Sequence, residues 1–355
     1  MPKIFDGPLT IDSTRGAYTV VPVVGLLDKI GDNSDYILIA DRYFESQIRS
    51  DRVVFVDALE SEKTLHTVGQ ISESLAKLGV TRSDRVLAVG GGIVQDLATL
   101  ACSLYMRGIS WDYAPTTLLG MVDSCVGGKS SINAGSTKNL LGNIYPPDEI
   151  FIDLSFLETL PREEVLGGIV EAFKILYCSS SELLADFVAL DSGRLSREMP
   201  SLIWASLSCK KFFIEKDEFD RAERRLLNFG HTFGHALEVG SQHRISHGLA
   251  VGYGMWCASA FVRAEEDSPL VDWLRGVDIE LAARMSSPVT VDLDLCRAAF
   301  ERDKKHSAMA YRLIVPGVSG VEIVEHARDS EAADRIWATF RRVVGESKWL
   351  RIRRG

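Results

Sequence analysis

The chain has 355 residues, 46% of them hydrophobic and 25% charged, with a formal net charge of −9. That length suits two domains of ordinary size, and the composition suits a folded globular protein. The acidic balance argues against nucleic acid and anionic membrane as partners, because phosphate-rich surfaces require a broad positive field. A local basic pocket for a small anion is compatible with it. The segment MPKIFDGPLTIDSTRG has no apolar signal core and no apolar run reaches membrane-spanning length, so the expected location is cytoplasmic. Cys102, Cys125, Cys178, Cys209, Cys257 and Cys296 form no CxxC pair and read as buried free thiols, in keeping with a reducing compartment.

In chain order, DYILIAD reads as a buried strand ending at Asp41, and VVFVDAL as a second. Apolar residues recur at helical spacing over 64–78. RVLAVGGG is an apolar strand running into Gly90, Gly91 and Gly92, and IVQDLATLACSLYMRG reads as a helix closed by glycine. WDYAPTT reads as another strand. This β-α-β-α rhythm predicts a parallel sheet covered by helices. Pro146 and Pro147 break the pattern, and Pro161 opens a region of helical periodicity that includes EEVLGGIVEAFKILYC and ELLADFVAL. The expected division is an α/β domain over 1–160 and a mostly helical domain over 161–355. YRLIVPGVSGVEIVEH reads as a hairpin, and the terminal RIRRG as a solvated tail.

Three groups of residues carry chemistry. The glycine triplet lies between strand and helix, where a pyrophosphate can approach the backbone at a helix N-terminus; without GxGxxG, a tight structural turn remains open as an alternative. Asp96 follows on the helix, and Thr116 and Thr117 supply hydroxyls at a strand end. The second group is histidine. Of seven, four fall in GHTFGHALEVGSQHRISHG, with His231 and His235 four apart on one helix face and His247 beyond. Glu171 sits in the apolar helix LGGIVEAFKIL, where a carboxylate needs a partner, and a divalent metal shared with histidines would satisfy it. The third group is cationic: Lys129 after Gly127 and Gly128, Lys138, Lys174 one turn after Glu171, Lys210, Arg224 and Lys305.

Read together, VGGGIVQDLA, YMRG, PTTLLGMVDSCVGGKSSIN, KNLLG, LETLP, VEAFK and LLNFGHTFGH, in that order between about Glu60 and Lys305, resemble the 3-dehydroquinate synthase family of sugar phosphate cyclases. The resemblance implies a Rossmann-like NAD-binding α/β domain followed by a helical metal- and substrate-binding domain. It implies zinc or cobalt held by Glu171, His231 and His247. It implies NAD contacts from Asp41, Glu60, Lys63, Gly91, Gly92, Asp96, Thr116, Thr117, Asp123, Lys138, Phe156 and Thr159. Substrate contacts would come from Asp123, Lys129, Asn139, Lys174, Lys210, Arg224, Asn228, His235 and Lys305, with Arg107 reaching the phosphate from a neighbouring subunit of a homodimer. The implied reaction is transient oxidation of a ring hydroxyl by NAD, loss of phosphate, reduction, ring opening and aldol closure. Asn228 and His235, together with Arg224 and Lys305, favour the acid substrate 3-deoxy-D-arabino-heptulosonate 7-phosphate. Asp220 in place of the usual Glu, SSIN for TGIN, the altered GNIYPP, His306 for Asn and Tyr43 near Asp41 depart from the pattern. They leave room for a cyclitol synthase acting on sedoheptulose 7-phosphate. An NAD-linked, metal-dependent polyol dehydrogenase would need no phosphate site, so Lys129, Asn139 and Arg107 argue against it. A non-enzymatic cofactor-binding regulator would need a broken metal or cationic cluster, and both are intact in the sequence.

Overall fold

A computed structural model describes residues 7–30, 35–135, 137–266, 268–318 and 320–353. Residues 1–6 of the N-terminal segment and the last two of RIRRG lie outside these. The chain forms two compact units. The first comprises Met1–Leu160 with Lys210–Asp220, and the second Pro161–Cys209 with Arg221–Gly355.

The first unit contains β1 (Leu9–Ile11), β2 (Tyr18–Val23), β3 (Tyr36–Asp41), β4 (Val53–Val56), β5 (Arg85–Gly90), β6 (Ser110–Pro115), β7 (Ile132–Ala134), β8 (Thr137–Leu141) and β9 (Glu149–Asp153). Its helices are α1 (Leu26–Lys29), α2 (Leu65–Lys77) and α3 (Gly92–Leu104). Seven strands make one sheet in the order β1-β2-β9-β6-β5-β3-β4. All pairs are parallel except the antiparallel β1–β2 edge. Ile37 to Ala40 and Val86 to Val89 are fully buried, which explains why these strands read as unbroken apolar runs. The register sets Ala40 against Val89 and Gly90 against Pro115. Asp41, Gly91 and Thr116 therefore share the carboxyl edge of the sheet, where open α/β sheets bind ligands.

The second unit holds α4 (Arg162–Ser179), α5 (Ser181–Val188), α6 (Ser192–Arg197), most of α7 (Met199–Lys216), α8 (His231–Gly240), α9 (His247–Phe261), α10 (Pro269–Arg284), α11 (Leu293–Glu301) and α12 (Glu331–Glu346). Four strands accompany them: β10 (Val289–Val291), β11 (Ala310–Gly317), β12 (Gly320–Ala327) and β13 (Leu350–Ile352). Helix α9 is buried from Gly248 to Phe261, as a central helix covered all round should be, and α4, α8 and α12 pack on it. Two glycine contacts set the spacing. A Cβ on Gly254 would fall 1.9 Å from the Gly230 carbonyl oxygen, and one on Gly248 would fall 2.3 Å from that of Gly167. Helices α8 and α4 thus meet α9 backbone to backbone.

Two expectations need correction. A single boundary at 160/161 misses Lys210–Asp220, which groups with the first unit. The reason is polar: Lys211 donates to the Thr10 carbonyl at 2.6 Å, Glu215 accepts from Asp12 N and Glu218 from Thr14 N. The segment RIRRG is also not wholly a solvated tail, because Arg351 and Ile352 belong to β13, which runs parallel to β10. The hairpin expected over 311–326 forms as β11–β12. No helix among the described residues is long and apolar enough to cross a membrane.

Candidate active site

In the second unit, Glu171 leaves the middle of α4, His231 opens α8 and His247 opens α9. Nitrogen atoms of His231, His235 and His247 all lie within 4.8 Å of one another. The His247 Nε2 lies 3.6 Å from the Glu171 carboxylate, which is fully buried and also pairs with the ammonium of Lys174, itself 2% exposed. Three imidazoles and a carboxylate in this space are a donor set that zinc or cobalt accepts. His247 Nδ1 faces the Glu238 carboxylate at 3.2 Å, an arrangement in which a carboxylate would orient the imidazole toward a metal. His235 is exposed and the His247 side chain is 39% exposed, so the cluster is open on one side.

Electrostatics divides these groups. Desolvation, then the charges of Lys174 and the neighbouring histidines, holds His231 well below the usual histidine value. Desolvation and the Lys305 ammonium bring His235 down to about 4. His247 is raised: desolvation pulls it down, but the Glu238 hydrogen bond and charge prevail. Glu238 is correspondingly lowered despite its burial. Lys305 is paired with Asp303 at 3.4 Å. Arg224, 4% exposed, and Asn228 both lie on the turn Glu223–Asn228 that leads into α8.

In the first unit, Gly91 caps α3 without a side-chain cap, leaving the first helical N–H groups available to an anion. A Cβ on Gly91 would come 3.0 Å from the Thr117 methyl, so the turn is shaped for backbone approach. Thr116 is buried, and Thr117 Oγ1 accepts from Gly120 N at 3.1 Å. The following π-helical turn, Gly120–Ser124, carries Asp123, whose carboxylate pairs with Lys210 and whose carbonyl accepts from the same ammonium at 2.5 Å. Lys129 pairs with Asp220 at 2.6 Å. Lys63, 6% exposed, pairs with Asp96 at 2.9 Å and donates to Asn139 Oδ1 at 2.7 Å. Burial raises the Asp96 carboxyl above its usual range, with Lys63 opposing. Lys138 lies 3.7 Å from Glu60. Asp41 accepts from Tyr43 N at the end of β3. Phe156 is buried edge-on against Phe44, and Thr159 is exposed. Arg107 stands apart, exposed on the tip after α3 at φ 68, next to Met106 at φ 50. Arg82 braces that tip by donating to the Met106 carbonyl.

Residues 53–167 match the 3-dehydroquinate synthase N-terminal domain, and residues 168–306 match the 3-dehydroquinate synthase C-terminal domain. The chain belongs to the 3-dehydroquinate synthase family. A 3-dehydroquinate synthase of Dictyoglomus thermophilum is 37% identical over 299 residues, covering 82% of this chain and 84% of that protein. Among solved structures, 2-epi-5-epi-valiolone synthase of Streptomyces hygroscopicus, with NAD⁺ and Zn²⁺ bound, aligns with a TM-score of 0.75 at 25% identity over 93% of this chain and 97% of that one. A 2-deoxy-scyllo-inosose synthase complexed with carbaglucose-6-phosphate, NAD⁺ and Co²⁺ aligns at 0.79 over 94% and 99%; at 24% identity it speaks for the fold alone.

For a member of the 3-dehydroquinate synthase family, sequence reasoning overlooked several polar residues that touch the candidate site. Glu238 lies three residues after His235 and seven after His231, so helical spacing alone puts it on their face. Ser131 bonds both Asp96 and Asn139, and Gln95 exchanges two 2.6 Å hydrogen bonds with Ser124, beside Asp123. Both lie in the motifs VGGGIVQDLA and GGKSSIN, but no local period points to these contacts, because their partners are 8 to 35 residues away.

Proposed function

We propose that this chain is a 3-dehydroquinate synthase, converting 3-deoxy-D-arabino-heptulosonate 7-phosphate to 3-dehydroquinate and phosphate. The observation that carries the reading is the convergence of Glu171, His231 and His247, with Lys174, His235 and Lys305 around them, in a chain 37% identical to a named 3-dehydroquinate synthase. A divalent metal would be held by Glu171, His231 and His247. NAD would lie along the Gly91–Gly92 turn, with Asp41, Glu60, Lys63, Asp96, Thr116, Thr117, Lys138, Phe156 and Thr159 as further contacts. When bound, NAD supplies reversible hydride removal and the metal supplies Lewis acidity at a substrate oxygen.

The chain's own residues do the rest. Buried Arg224 presents a planar fork suited to a carboxylate, with Asn228 on the same turn. Lys305, with Arg107 from a second copy of the chain, would hold the phosphate and stabilise the charge it carries away. His235 is neutral at pH 7 and open to solvent, so it can accept a proton or donate a hydrogen bond to phosphate. Asp123, Lys129, Asn139, Lys174 and Lys210 would orient the hydroxyls and the ring oxygen. One C–O bond to phosphate breaks and one C–C bond forms, with no net oxidation. The reading includes a homodimer and, from the six free cysteines, a reducing cytoplasm.

The test is phosphate release by purified protein with NAD and Zn²⁺, while absorbance follows net NADH. Release from 3-deoxy-D-arabino-heptulosonate 7-phosphate without NADH accumulation supports the reading. Release only from sedoheptulose 7-phosphate replaces it with a cyclitol synthase, the reading that Asp220 beside Lys129 favours. Accumulation of NADH from an unphosphorylated polyol overturns both.

A further inference from the structure

Strand β8 carries Lys138 and Asn139, yet all five of its residues are exposed, and Asn139 adopts a left-handed conformation at φ 53. Apolar packing does not hold this strand. Polar contacts do, and its β7 neighbour Asn133 makes one that reaches the strand's backbone at Asn139. The Asn133 amide donates to the Glu60 carboxylate at 2.9 Å and to the Glu60 carbonyl at 3.1 Å. Its Oδ1 accepts from the backbone N–H of Asn139 at 3.0 Å, and its own backbone N–H donates to the Lys63 carbonyl at 2.7 Å. The orientation of the amide is unambiguous. A flip would set its oxygen against two oxygens and its NH₂ against an N–H. Lys63 and Ser131 then complete Asn139 by donating to its side-chain oxygen at 2.7 and 3.0 Å.

We propose that Asn133 is a positioning residue that holds Glu60, on the cofactor side, and Asn139, on the substrate side, in one fixed register. This rests on the assignments of those two residues in the proposed function. The two halves of the amide do separate jobs: the NH₂ group aims the Glu60 carboxylate, and the oxygen stabilises the left-handed backbone at Asn139. Asn133 is only part-buried, so its removal leaves no cavity in the core.

Two substitutions in the NAD- and zinc-loaded enzyme separate the jobs. Asn133→Asp keeps an acceptor for Asn139 N–H but sets a carboxylate against Glu60. NAD affinity, followed by fluorescence titration, falls about tenfold, as expected for losing a hydrogen bond to a charged group. The KM for 3-deoxy-D-arabino-heptulosonate 7-phosphate stays within about twofold. Asn133→Ala removes both jobs, and NAD Kd and substrate KM both rise about tenfold. Thermal midpoints remain within a few degrees of wild type. An Asp variant that raises KM as much as the Ala variant overturns the proposal. So do variants that leave both constants within twofold, and variants whose only change is a lower thermal midpoint. Wild-type enzyme that fails to bind NAD or to release phosphate would instead bring down the proposed function, and this inference with it.

Discussion

The two units hold their polar groups by different means. In the second, Glu171, His231 and His247 are fixed by helices α4, α8 and α9, whose backbones touch through glycine. In the first, Lys63, Asn139, Asp123 and Lys129 lie in turns and short strands and are fixed by polar side chains: Lys63 by Asn139 and Asp96, Asp123 by Lys210, and Lys129 by Asp220. The first arrangement suits ligands that must meet a metal at fixed lengths. The second suits contacts to a substrate that must enter and leave.

That contrast can be broken experimentally. The largest effect is expected at the metal cluster: Glu171→Gln and His231→Ala should lower turnover at least about 1000-fold and strip the purified protein of zinc, with NAD binding largely retained. Normal zinc content by elemental analysis would refute the ligand assignment. Next, Gly254→Ala should destabilise the fold by about 3 kcal/mol or more in denaturant titration, because its methyl would fall 1.9 Å from a backbone oxygen that cannot swing aside. A loss under ~1 kcal/mol would mean the helices can part.

A smaller effect concerns pH in the metal-free protein. His231 and His235 are both held below the ordinary 6.5, so their contribution is complete above 6.5 and lost as pH falls, for His235 through about 4. His247, raised, acts in the opposite sense, leaving two against one. The thermal midpoint of the metal-free protein should therefore fall between pH 6.5 and 4.5. A thermal midpoint that is level or rises over that interval would contradict the assignment. The smallest effect is at Asp220→Asn, which leaves stability within ~1 kcal/mol because Lys129 is 45% exposed, while substrate KM rises. A larger loss of stability would show that this pair supports the fold rather than the substrate.

The sequence revealed most where one residue sees only its near neighbours along the chain. The strands at Tyr36–Asp41 and Arg85–Gly90 were legible because burial on both faces gives them unbroken apolar centres, and Val53–Val56 and Ser110–Pro115 because they are rich in β-branched and aromatic residues. The pair His231 and His235 was legible from helical spacing. β13 was not, because three residues, one of them a charged arginine, carry no period. Nor was the attachment of Lys210–Asp220 to the first unit, since α7 runs without a break past Cys209. Ser131 and Asn133 stood in the motif SSIN, but their roles were not legible for a related reason: their partners are brought close only by folding.

The peptide contacts of Gly254 with Gly230 and of Gly248 with Gly167 act as a jig. They set the distance between the helices that carry Glu171, His231 and His247 by the thickness of the main chain. On the proposed assignments, the turn carrying Arg224 and Asn228 could be reshaped for another sugar without moving Glu171, His231 and His247.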